Sequence, residues 1–315
     1  MTLPQGAPRK PRALRKGSKV AVFAPSSPAE QFEVTAGLAE LRRLGYEFTP
    51  VQLPGSEGYF AASTASRLEG FLKAARHPEI AGLIALRGGY GSNYLLGNDL
   101  GSQLQEPKCV TGFSDLTSLQ IYLWQRCGWV TFHGPMVAAG LNRGADDSHG
   151  YDEHSFLQAL GNPNSGWEIP LLGKSLVRGV SEGRLLGGCL TLVQTTLGTP
   201  WEIETTGSIL VLEDRGMRPY QVDRALMHLK QAGKLQSLQG IVLGEFPDSD
   251  SPAKDSPSVQ DVCERILRPL GVPMVFGAAV GHTQRPMLTL PLGVQARLIA
   301  SGEGRLEILE PAVVQ

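Results

Sequence analysis

The chain has 315 residues, of which 42% are apolar and 19% are charged, a globular composition that excludes disorder over the whole length. Its 29 basic and 30 acidic residues leave a formal net charge of −1, which gives no electrostatic reason to expect a nucleic-acid partner. The length exceeds what one hydrophobic core usually supports, so we expect one large domain or two modest ones.

Neither a membrane nor a secretory route is indicated by the sequence. No apolar run approaches the roughly 20 residues of a transmembrane helix. The basic residues at 9–16 are interleaved with prolines and lack the apolar core of a signal peptide, so we expect a frayed leader and a cytoplasmic protein. The cysteines are widely spaced without a C-x-x-C pair, which predicts reduced structural thiols and no zinc site. They are Cys109, Cys127, Cys189 and Cys263.

The first part of the chain alternates short apolar runs with helical patterns. Strands are predicted at residues 19–24, 48–53, 80–86 and 108–112, and helices at 32–44, 67–75 and 116–127. This alternation is typical of an α/β fold with a Rossmann-like parallel sheet, which binds ligands at the carboxyl ends of its strands. Ser26, the glycine-rich residues 88–91 and Ser114 fall at those ends.

The rhythm breaks at residues 142–183, where Gly, Asn, Asp, Pro and Ser dominate. Beyond this break, strands are predicted at residues 208–212, 240–244 and 272–276, a helix at 219–233 and an antiparallel meander over 287–309. The second part is therefore expected to be a β-rich mixed α/β domain. The predicted organisation is an N-terminal domain over residues 1–145, a linker over 146–180 and a C-terminal domain over 181–315.

A serine directly follows one predicted strand and precedes a predicted helix, in the run Thr111-Gly112-Phe113-Ser114-Asp115. Such a turn lifts a hydroxyl out of the sheet, and the amides at the start of the helix can stabilise an oxyanion. The hydrolase pattern G-x-S-x-G is not met, because Leu116 stands at its second glycine. The alternative is that Ser114 or Asp115 merely caps the helix.

A serine nucleophile needs a general base and a group that orients this base. Of the six histidines, His133 and His282 each follow an apolar stretch, where a strand end delivers a side chain to a cleft. A structural histidine is the alternative for either one. Glu213 ends an apolar strand, where a carboxylate is costly to bury unless it is paired. Ser114, Glu213 and His282 follow each other in the order that α/β-hydrolases use for their triad.

A glycine-rich turn, Arg87-Gly88-Gly89-Tyr90-Gly91, closes the third predicted strand. Glycine lets backbone amides approach a ligand closely. The turn does not fit the dinucleotide fingerprint G-x-G-x-x-G, because Tyr94 stands at its last glycine. A non-catalytic module that binds a small anion at this turn is one open alternative.

Taken together, these segments resemble the LD-carboxypeptidase family, the group that also contains the microcin C-resistance peptidases. The resemblance spans about residues 14–309. It rests on short motifs in one order, namely Ala24-Pro25-Ser26-Ser27-Pro28, Arg87-Gly88-Gly89-Tyr90-Gly91, Gly112-Phe113-Ser114-Asp115, His133-Gly134-Pro135-Met136, Glu182-Gly183-Arg184-Leu185-Leu186-Gly187-Gly188-Cys189-Leu190, Leu212-Glu213-Asp214, Tyr220-Gln221-Val222-Asp223-Arg224, Gly281-His282 and Leu290-Pro291-Leu292-Gly293.

The resemblance implies a serine peptidase without a metal or organic cofactor, whose triad falls on Ser114, Glu213 and His282. It also implies an oxyanion hole of backbone amides. The residues implied for this hole are Gly88, Gly89 and Asp115. The implied substrate is a murein tetrapeptide, which is cut between diaminopimelate or lysine and the terminal D-Ala in cell-wall recycling. The implied assembly is a homodimer with the site between the two domains of each chain.

The chain departs from the family pattern at two places that bear on the ends of the substrate or on the dimer contact. Ser92-Asn93-Tyr94 stands where family members often carry Arg, and Met217-Arg218 stands near a position that is often acidic. A peptidyl-nucleotide such as processed microcin C is therefore an alternative substrate, which an aromatic-rich insertion would favour. The candidate insertion is residues 142–183, with Tyr151, Phe156 and Trp167.

Overall fold

A computed structural model describes residues 7–49, 55–97, 99–145, 147–249, 251 and 255–315. Its strands in chain order are β1 (Lys19–Phe23), β2 (Glu47–Phe48), β3 (Ile80–Ala85), β4 (Cys109–Gly112), β5 (Thr131–His133), β6 (Trp167–Pro170), β7 (Lys174–Val177), β8 (Gly179–Cys189), β9 (Ser208–Glu213), β10 (Gly240–Gly244), β11 (Met274–Ala278), β12 (Leu290–Leu292), β13 (Gln295–Ala300) and β14 (Arg305–Ile308). Its α-helices are α1 (Gln31–Arg43), α2 (Thr64–Arg76), α3 (Leu116–Cys127), α4 (Glu153–Gly161), α5 (Leu190–Thr195), α6 (Pro219–Gln231) and α7 (Val259–Leu267).

The first sheet has the strand order β12-β5-β4-β3-β1-β2. The strands from β1 to β5 all pair in parallel, and β3 and β4 are almost wholly buried, as expected of a sheet covered on both faces. This architecture confirms the Rossmann-like parallel sheet that was predicted for the first part of the chain. The described part of the second predicted strand is β2, and residues 50–53 of that prediction lie outside the described residues.

The second sheet has the order β6-β14-β13-β8-β9-β10-β11-β7. Its centre, from β8 to β11, is parallel, and the outer strands pair antiparallel. This mixed sheet confirms a β-rich second half.

The last strands were expected to form one meander, and this prediction was wrong for the first of them. β13 and β14 do pair antiparallel with each other in the second sheet. β12 instead crosses to the first sheet and pairs antiparallel with β5, with Leu290 opposite His133. An alternating pattern reports which face of a strand is buried, but it does not report which sheet the strand joins.

The segment 146–180 was expected to be a linker, but it contains regular structure. It includes α4 and the two outer strands β6 and β7 of the second sheet. Its many Gly, Asn and Pro residues concealed these short elements. The domain boundaries themselves stay a prediction.

The basic leader is tied down from residue 7 onward, so the expected fraying is wrong for this part. The amide of Arg9 donates to Gly128 O at 2.7 Å, and the amide of Leu14 donates to Leu160 O at 2.7 Å. The side chain of Leu14 is buried in the core. These backbone bonds and this buried leucine offset the entropy lost on ordering the segment.

Helix α3 lies between the two sheets and joins their cores. Leu119 and Leu123 belong to the hydrophobic cluster of the first sheet, whereas Ile121 and Trp124 belong to that of the second. Most side chains of this helix are buried all round, as expected of a helix with sheet on both sides. The residue that begins α3 therefore has a fixed position relative to both sheets. Among the described helices, none is long and apolar enough to cross a bilayer.

Candidate active site

Ser114 lies in the tight turn between β4 and α3, and its backbone is strained. Its φ of +60° is uncommon for a residue with a side chain and is typical of a turn that presents a nucleophile. Gly88 lies directly beside it, because a Cβ added at Gly88 would stand 2.9 Å from Ser114 Cβ. Ser114 is half-buried and lines an open cavity of about 620 Å³.

Asp115 does not cap α3; its carboxylate instead holds the Ser114 turn in place by accepting hydrogen bonds from two other loops. Its side chain makes no capping hydrogen bond. Asp115 Oδ2 accepts a hydrogen bond from Ser26 Oγ at 2.5 Å and another from the Ser92 amide at 2.8 Å. All three side chains are buried. The carboxylate thus ties the loops that follow β1 and β3 to the loop that carries Ser114.

A second buried group, Arg67 on α2, holds the same two loops, and sequence reasoning missed it. Its guanidinium donates to Pro25 O and to Gly91 O, the latter at 2.8 Å. The side chain is almost wholly buried, and burial lowers the pKa of Arg67. An arginine within a helical pattern is normally expected to be exposed to solvent, so the sequence carries no signal for this buried role.

The glycine turn 88–91 presents free backbone donors next to Ser114. Ser27 holds the turn, because its amide donates to Gly88 O at 3.3 Å and its Oγ accepts from the Tyr90 amide at 3.2 Å. Within the described residues, the amides of Gly89 and Asp115 have no acceptor. Unpaired amides beside a hydroxyl are suited to stabilise an oxyanion.

Glu213 and His282 form a hydrogen-bonded pair, of which His282 lines the same cavity. Glu213 Oε2 accepts from His282 Nδ1 at 2.8 Å and from the His282 amide at 2.9 Å. Glu213 is fully buried at the end of β9, whereas His282 is half-buried and lines the cavity together with Ser114. Since Nδ1 is bonded to the carboxylate, Nε2 is the ring nitrogen left to take a proton from a nucleophile.

The structure distinguishes Glu213 from its neighbour Asp214, which the sequence could not do from the residues alone. Asp214 Oδ2 accepts from the amide and from Oγ1 of Thr191, at 2.8 and 2.7 Å. Its Oδ1 accepts from the Arg215 amide at 2.7 Å. Asp214 is therefore occupied with the backbone around α5, and Glu213 is the carboxylate in contact with His282.

The electrostatics of the pair favour a charged carboxylate beside an imidazole that readily takes a proton. Burial raises the pKa of Glu213, but the charge and hydrogen bonds of His282 outweigh it and hold the pKa below its usual 4.5. Burial lowers the pKa of His282, but Glu213 outweighs it and raises the pKa above the usual 6.5. Such an arrangement supports general-base chemistry near neutral pH.

His133, the other candidate base, lies behind the pair and does not line the cavity. Its side chain is fully buried, and its Nε2 lies 3.7 Å from Glu213 Oε1. The ring of Phe113 packs edge-on against both histidines, with centroids 5.0 Å from His282 and 6.2 Å from His133. Of the two, His282 is the histidine that faces the ligand space.

The cavity continues past His282 into a second lobe of about 580 Å³. Glu33, Arg215 and His282 line both lobes, and Arg143 lines the second one. Sequence reasoning did not find this lobe, because Glu33 on α1, Arg143 and Arg215 are far apart in the chain and only the tertiary fold brings them together.

The cysteines are poor candidates for a nucleophile. The cysteines Cys109, Cys127, Cys189 and Cys263 are free and buried. Burial raises their thiol pKa values, to about 11 for Cys127 and about 12 for Cys263. Thiols of this kind are poor nucleophiles. Among the described residues, no cluster of three or more His, Cys, Asp or Glu is arranged to hold a metal ion.

Comparison with known sequences gives one family for both halves of the chain. The N-terminal domain of LD-carboxypeptidases matches residues 20–134, and the C-terminal domain of LD-carboxypeptidases matches residues 182–298. A probable murein peptide carboxypeptidase of Bacillus subtilis (strain 168) is 34% identical over 293 residues, which cover 92% of this chain and 91% of that protein. The microcin C7 self-immunity protein MccF of Escherichia coli is 27% identical over 330 residues, covering 92% and 93%.

Solved structures agree with these matches. A muramoyltetrapeptide carboxypeptidase from Oxalobacter formigenes superposes with a TM-score of 0.82 at 28% identity and covers 94% of this chain and 100% of its own. MccF in its wild-type apo state superposes with a TM-score of 0.86 at 24% identity, covering 97% and 100%. At that identity, the second likeness is one of fold alone.

Proposed function

Because this chain belongs to the LD-carboxypeptidase family, we propose that it is a serine carboxypeptidase that releases the terminal D-Ala of murein tetrapeptides. The main support is one observation: His282, joined to the buried Glu213 at 2.8 Å, lines the same cavity as Ser114. A hydroxyl on a strained turn, an imidazole and a buried carboxylate are the parts that serine-dependent acyl transfer needs.

In the proposed mechanism, Ser114 Oγ attacks the carbonyl carbon of the L-centre that is joined to the terminal D-Ala. His282 Nε2 takes the hydroxyl proton as the new bond forms, and Glu213 stabilises the resulting imidazolium through Nδ1. His282 then gives the proton to the leaving amine of D-Ala. A water molecule, activated by the same imidazole, hydrolyses the acyl-enzyme and restores Ser114.

The negative oxygen of the tetrahedral intermediate would be held by the backbone amides of Gly89 and Asp115, with Gly88 allowing the close approach. Both amides lack an acceptor within the described residues and lie on the two turns that meet at Ser114. Donors of this kind contribute about 3–4 kcal/mol each to transition-state stabilisation.

The charges of the cavity suit a peptide with a free carboxylate and a free amine. Arg87 and Arg215 line the lobe that contains Ser114, together with Glu30 and Glu33. A carboxypeptidase must bind the terminal carboxylate of its substrate, and arginine binds carboxylates through two parallel hydrogen bonds. We propose that these arginines bind the D-Ala carboxylate and that the acidic side chains bind the amine of diaminopimelate or lysine.

The decisive experiment compares Ser114→Ala with the wild-type chain on a purified murein tetrapeptide. Release of D-Ala should be abolished, while the thermal unfolding midpoint stays within a few degrees, because the change removes one half-exposed oxygen. Ser102→Ala, at an exposed serine that does not line the cavity, is the control and should keep full activity. Turnover by Ser114→Ala at the wild-type rate would end the proposal.

A peptidyl-nucleotide substrate is the second candidate, since MccF belongs to the matched proteins. The aromatic residues that were considered as a nucleotide clamp argue against it. Tyr151 and Phe156 are fully buried in the core, and Trp167 packs against the core from β6, opposite Ile308. Side-by-side assays on a tetrapeptide and on a cleavable aminoacyl-adenylate mimic would distinguish the two, and we expect turnover of the tetrapeptide only.

A non-catalytic binding module is the remaining alternative. An active-site-directed serine reagent should modify Ser114 if the hydroxyl is activated, and it should leave a mere binding protein unlabelled.

We further propose that the enzyme acts in cell-wall recycling, in the cytoplasm and as a homodimer. Light scattering of the purified protein would test the dimer.

A further inference from the structure

His133 is a buried polar side chain beside the proposed triad, and the mechanism above gives it no role. Its imidazole is fully buried on β5. Neither ring nitrogen has a hydrogen-bond partner within the described residues. Buried polar groups are nearly always paired, so an unpaired imidazole next to a reaction centre calls for an explanation.

The partner is indicated by the unequal use of the two Glu213 oxygens. Oε2 accepts two hydrogen bonds from His282, whereas Oε1 is buried and has no partner within the described residues. His133 Nε2 lies 3.7 Å from this Oε1. That distance exceeds the usual upper limit of the donor–acceptor distance in a hydrogen bond by only about 0.5 Å. In enzymes without substrate, catalytic hydrogen bonds are often long and shorten only when the substrate is bound.

The surroundings of Glu213 leave its carboxylate little freedom to turn elsewhere. A Cβ added at Gly281 would stand 2.2 Å from Glu213 Cδ, and one added at Gly244 would stand 2.6 Å from Glu213 Cβ. The backbone thus encloses the side chain on two sides, and Oε1 keeps its direction towards His133. Within the described residues, Glu213 also carries the only carboxylate that lies within 4.0 Å of a His133 ring nitrogen.

We propose that His133 is a positioning residue, whose Nε2–H donates a hydrogen bond to Glu213 Oε1 and so fixes the carboxylate that orients His282. The carboxylate then lies between two imidazoles, one from each half of the chain. This inference rests on the proposed function, because it assigns His133 a part in the same reaction.

The charge state of His133 fits a neutral donor. Burial lowers the pKa of His133, the charge of His282 lowers it further, and Glu213 opposes both. A neutral imidazole can donate one N–H to Oε1 without neutralising Glu213. The full negative charge of the carboxylate therefore stays available to the imidazolium of His282.

Two substitutions separate positioning from packing. His133→Phe keeps a ring of similar shape and removes the donor, so kcat should fall about ten- to a hundredfold while KM stays within about twofold, since His133 does not line the cavity. His133→Gln places an amide N–H near the same point and should recover most of kcat. A wild-type kcat in His133→Phe, or a Gln variant no better than the Phe variant, would overturn the inference.

Thr131→Val provides the matched control. Thr131 is buried on the same strand, two residues away, and its Oγ1 also lacks a partner within the described residues. If general disturbance of β5 were responsible, this nearly isosteric change would lower kcat as well. We expect it to leave kcat unchanged.

A second measurement uses the unmodified protein and no substrate. ¹⁵N NMR of histidine-labelled enzyme should find the His133 proton on Nε2 near neutral pH, and a proton on Nδ1 instead would refute the proposed bond. Failure of the wild-type chain to release D-Ala would refute the proposed function, and the tautomer would still decide the His133–Glu213 bond by itself.

Discussion

At the scale of single residues, the chemistry of the site depends on the buried carboxylate of Glu213, whose negative charge raises the pKa of His282. Glu213 is fully buried, and its contact with His282 outweighs the cost of burying its charge. A buried charge without a partner would destabilise the fold by several kcal/mol. Removal of His282 should therefore affect the stability of the chain as well as its activity.

The first prediction concerns the dependence of activity on pH. A general base must be unprotonated, and Glu213 raises the pKa of His282 above 6.5. Activity should therefore fall on the acid side with a midpoint above 6.5, as measured by kcat/KM for D-Ala release. Glu213→Gln removes the charge that raises this pKa, so the midpoint should move to lower pH, and kcat should fall by about 10⁴-fold. An unchanged midpoint would show that Glu213 does not govern His282.

The second prediction concerns Gly281, which leaves room for Glu213. Alanine at this position would place Cβ 2.2 Å from Glu213 Cδ, so we expect Gly281→Ala to lower kcat at least a hundredfold. Its φ of +60° adds a strain of about 1–2 kcal/mol. Gly302→Ala is the matched control, because Gly302 has a φ of +61° and no atom within 4 Å of an added Cβ. It should lose only the strain of about 1–2 kcal/mol in urea unfolding and keep full activity. Equal activity of the two variants would contradict the steric argument.

At the scale of secondary-structure elements, the site depends on loops that follow three neighbouring parallel strands. The loops after β1, β3 and β4 meet at the carboxyl edge of the first sheet, as this fold requires. Asp115 connects all three, because it lies after β4 and accepts from Ser26 and Ser92. We infer that this buried carboxylate holds the relative position of the Ser114 turn and the glycine turn.

The third prediction tests Asp115 as this connection. Asp115→Ala leaves the Ser26 hydroxyl and the Ser92 amide buried without an acceptor, so the free energy of unfolding should fall by about 2–4 kcal/mol. Ser26→Ala removes one donor and leaves the Ser92 bond in place, so it should cost about 1–2 kcal/mol. Urea unfolding would measure both. Equal stability of Asp115→Ala and the wild-type chain would refute this role.

Elements with a strong local signal were predictable from the sequence. Helix α3 was expected at residues 116–127 and is found at Leu116–Cys127, because its apolar residues and the following Gly128 mark it clearly. Strand β5 was anticipated only as an apolar stretch that ends at His133 and was given no bounds, since its three residues are too few to show a period. Strand β12 was assigned to the wrong sheet, because the pairing partner of a short strand is set by contacts distant in sequence.

The candidate site was likewise predictable only where its residues carry a strong local signal. Ser114, Glu213 and His282 stand at ends of apolar runs and within family motifs, so the sequence could name them, and their catalytic roles stay a prediction. Local pattern could not distinguish His133 from His282 as the base. That distinction depends on the direction of Glu213, whose Oε2 bonds to His282 while Oε1 lies 3.7 Å from His133.

At the scale of the whole molecule, the two halves of the chain are interlocked. β12 follows His282 in the chain and pairs with β5 of the first sheet, and the leader of the N-terminal half pairs with the end of the chain, at Arg12 and Val314. Helix α3 contributes to both hydrophobic clusters. A site that takes Ser114 from one half and His282 from the other would thus be held by backbone pairing as well as by side-chain contacts.

The last prediction follows from this interlocking. Two domains that only touch usually unfold in separate steps, whereas halves that share a sheet and a core helix should unfold together. We expect a single urea transition, with the same midpoint for far-UV circular dichroism, for the fluorescence of the four tryptophans, and for residual D-Ala release. Leu290→Pro should lower that midpoint for all three signals alike, because proline cannot donate the backbone hydrogen bond that pairs β12 with β5.

Leu306→Pro is the corresponding change in strand β14 of the second sheet, and it should also move all three signals together. If either change moved the circular dichroism and left the activity midpoint in place, the halves would be independent, and the position of His282 would depend on side-chain contacts alone.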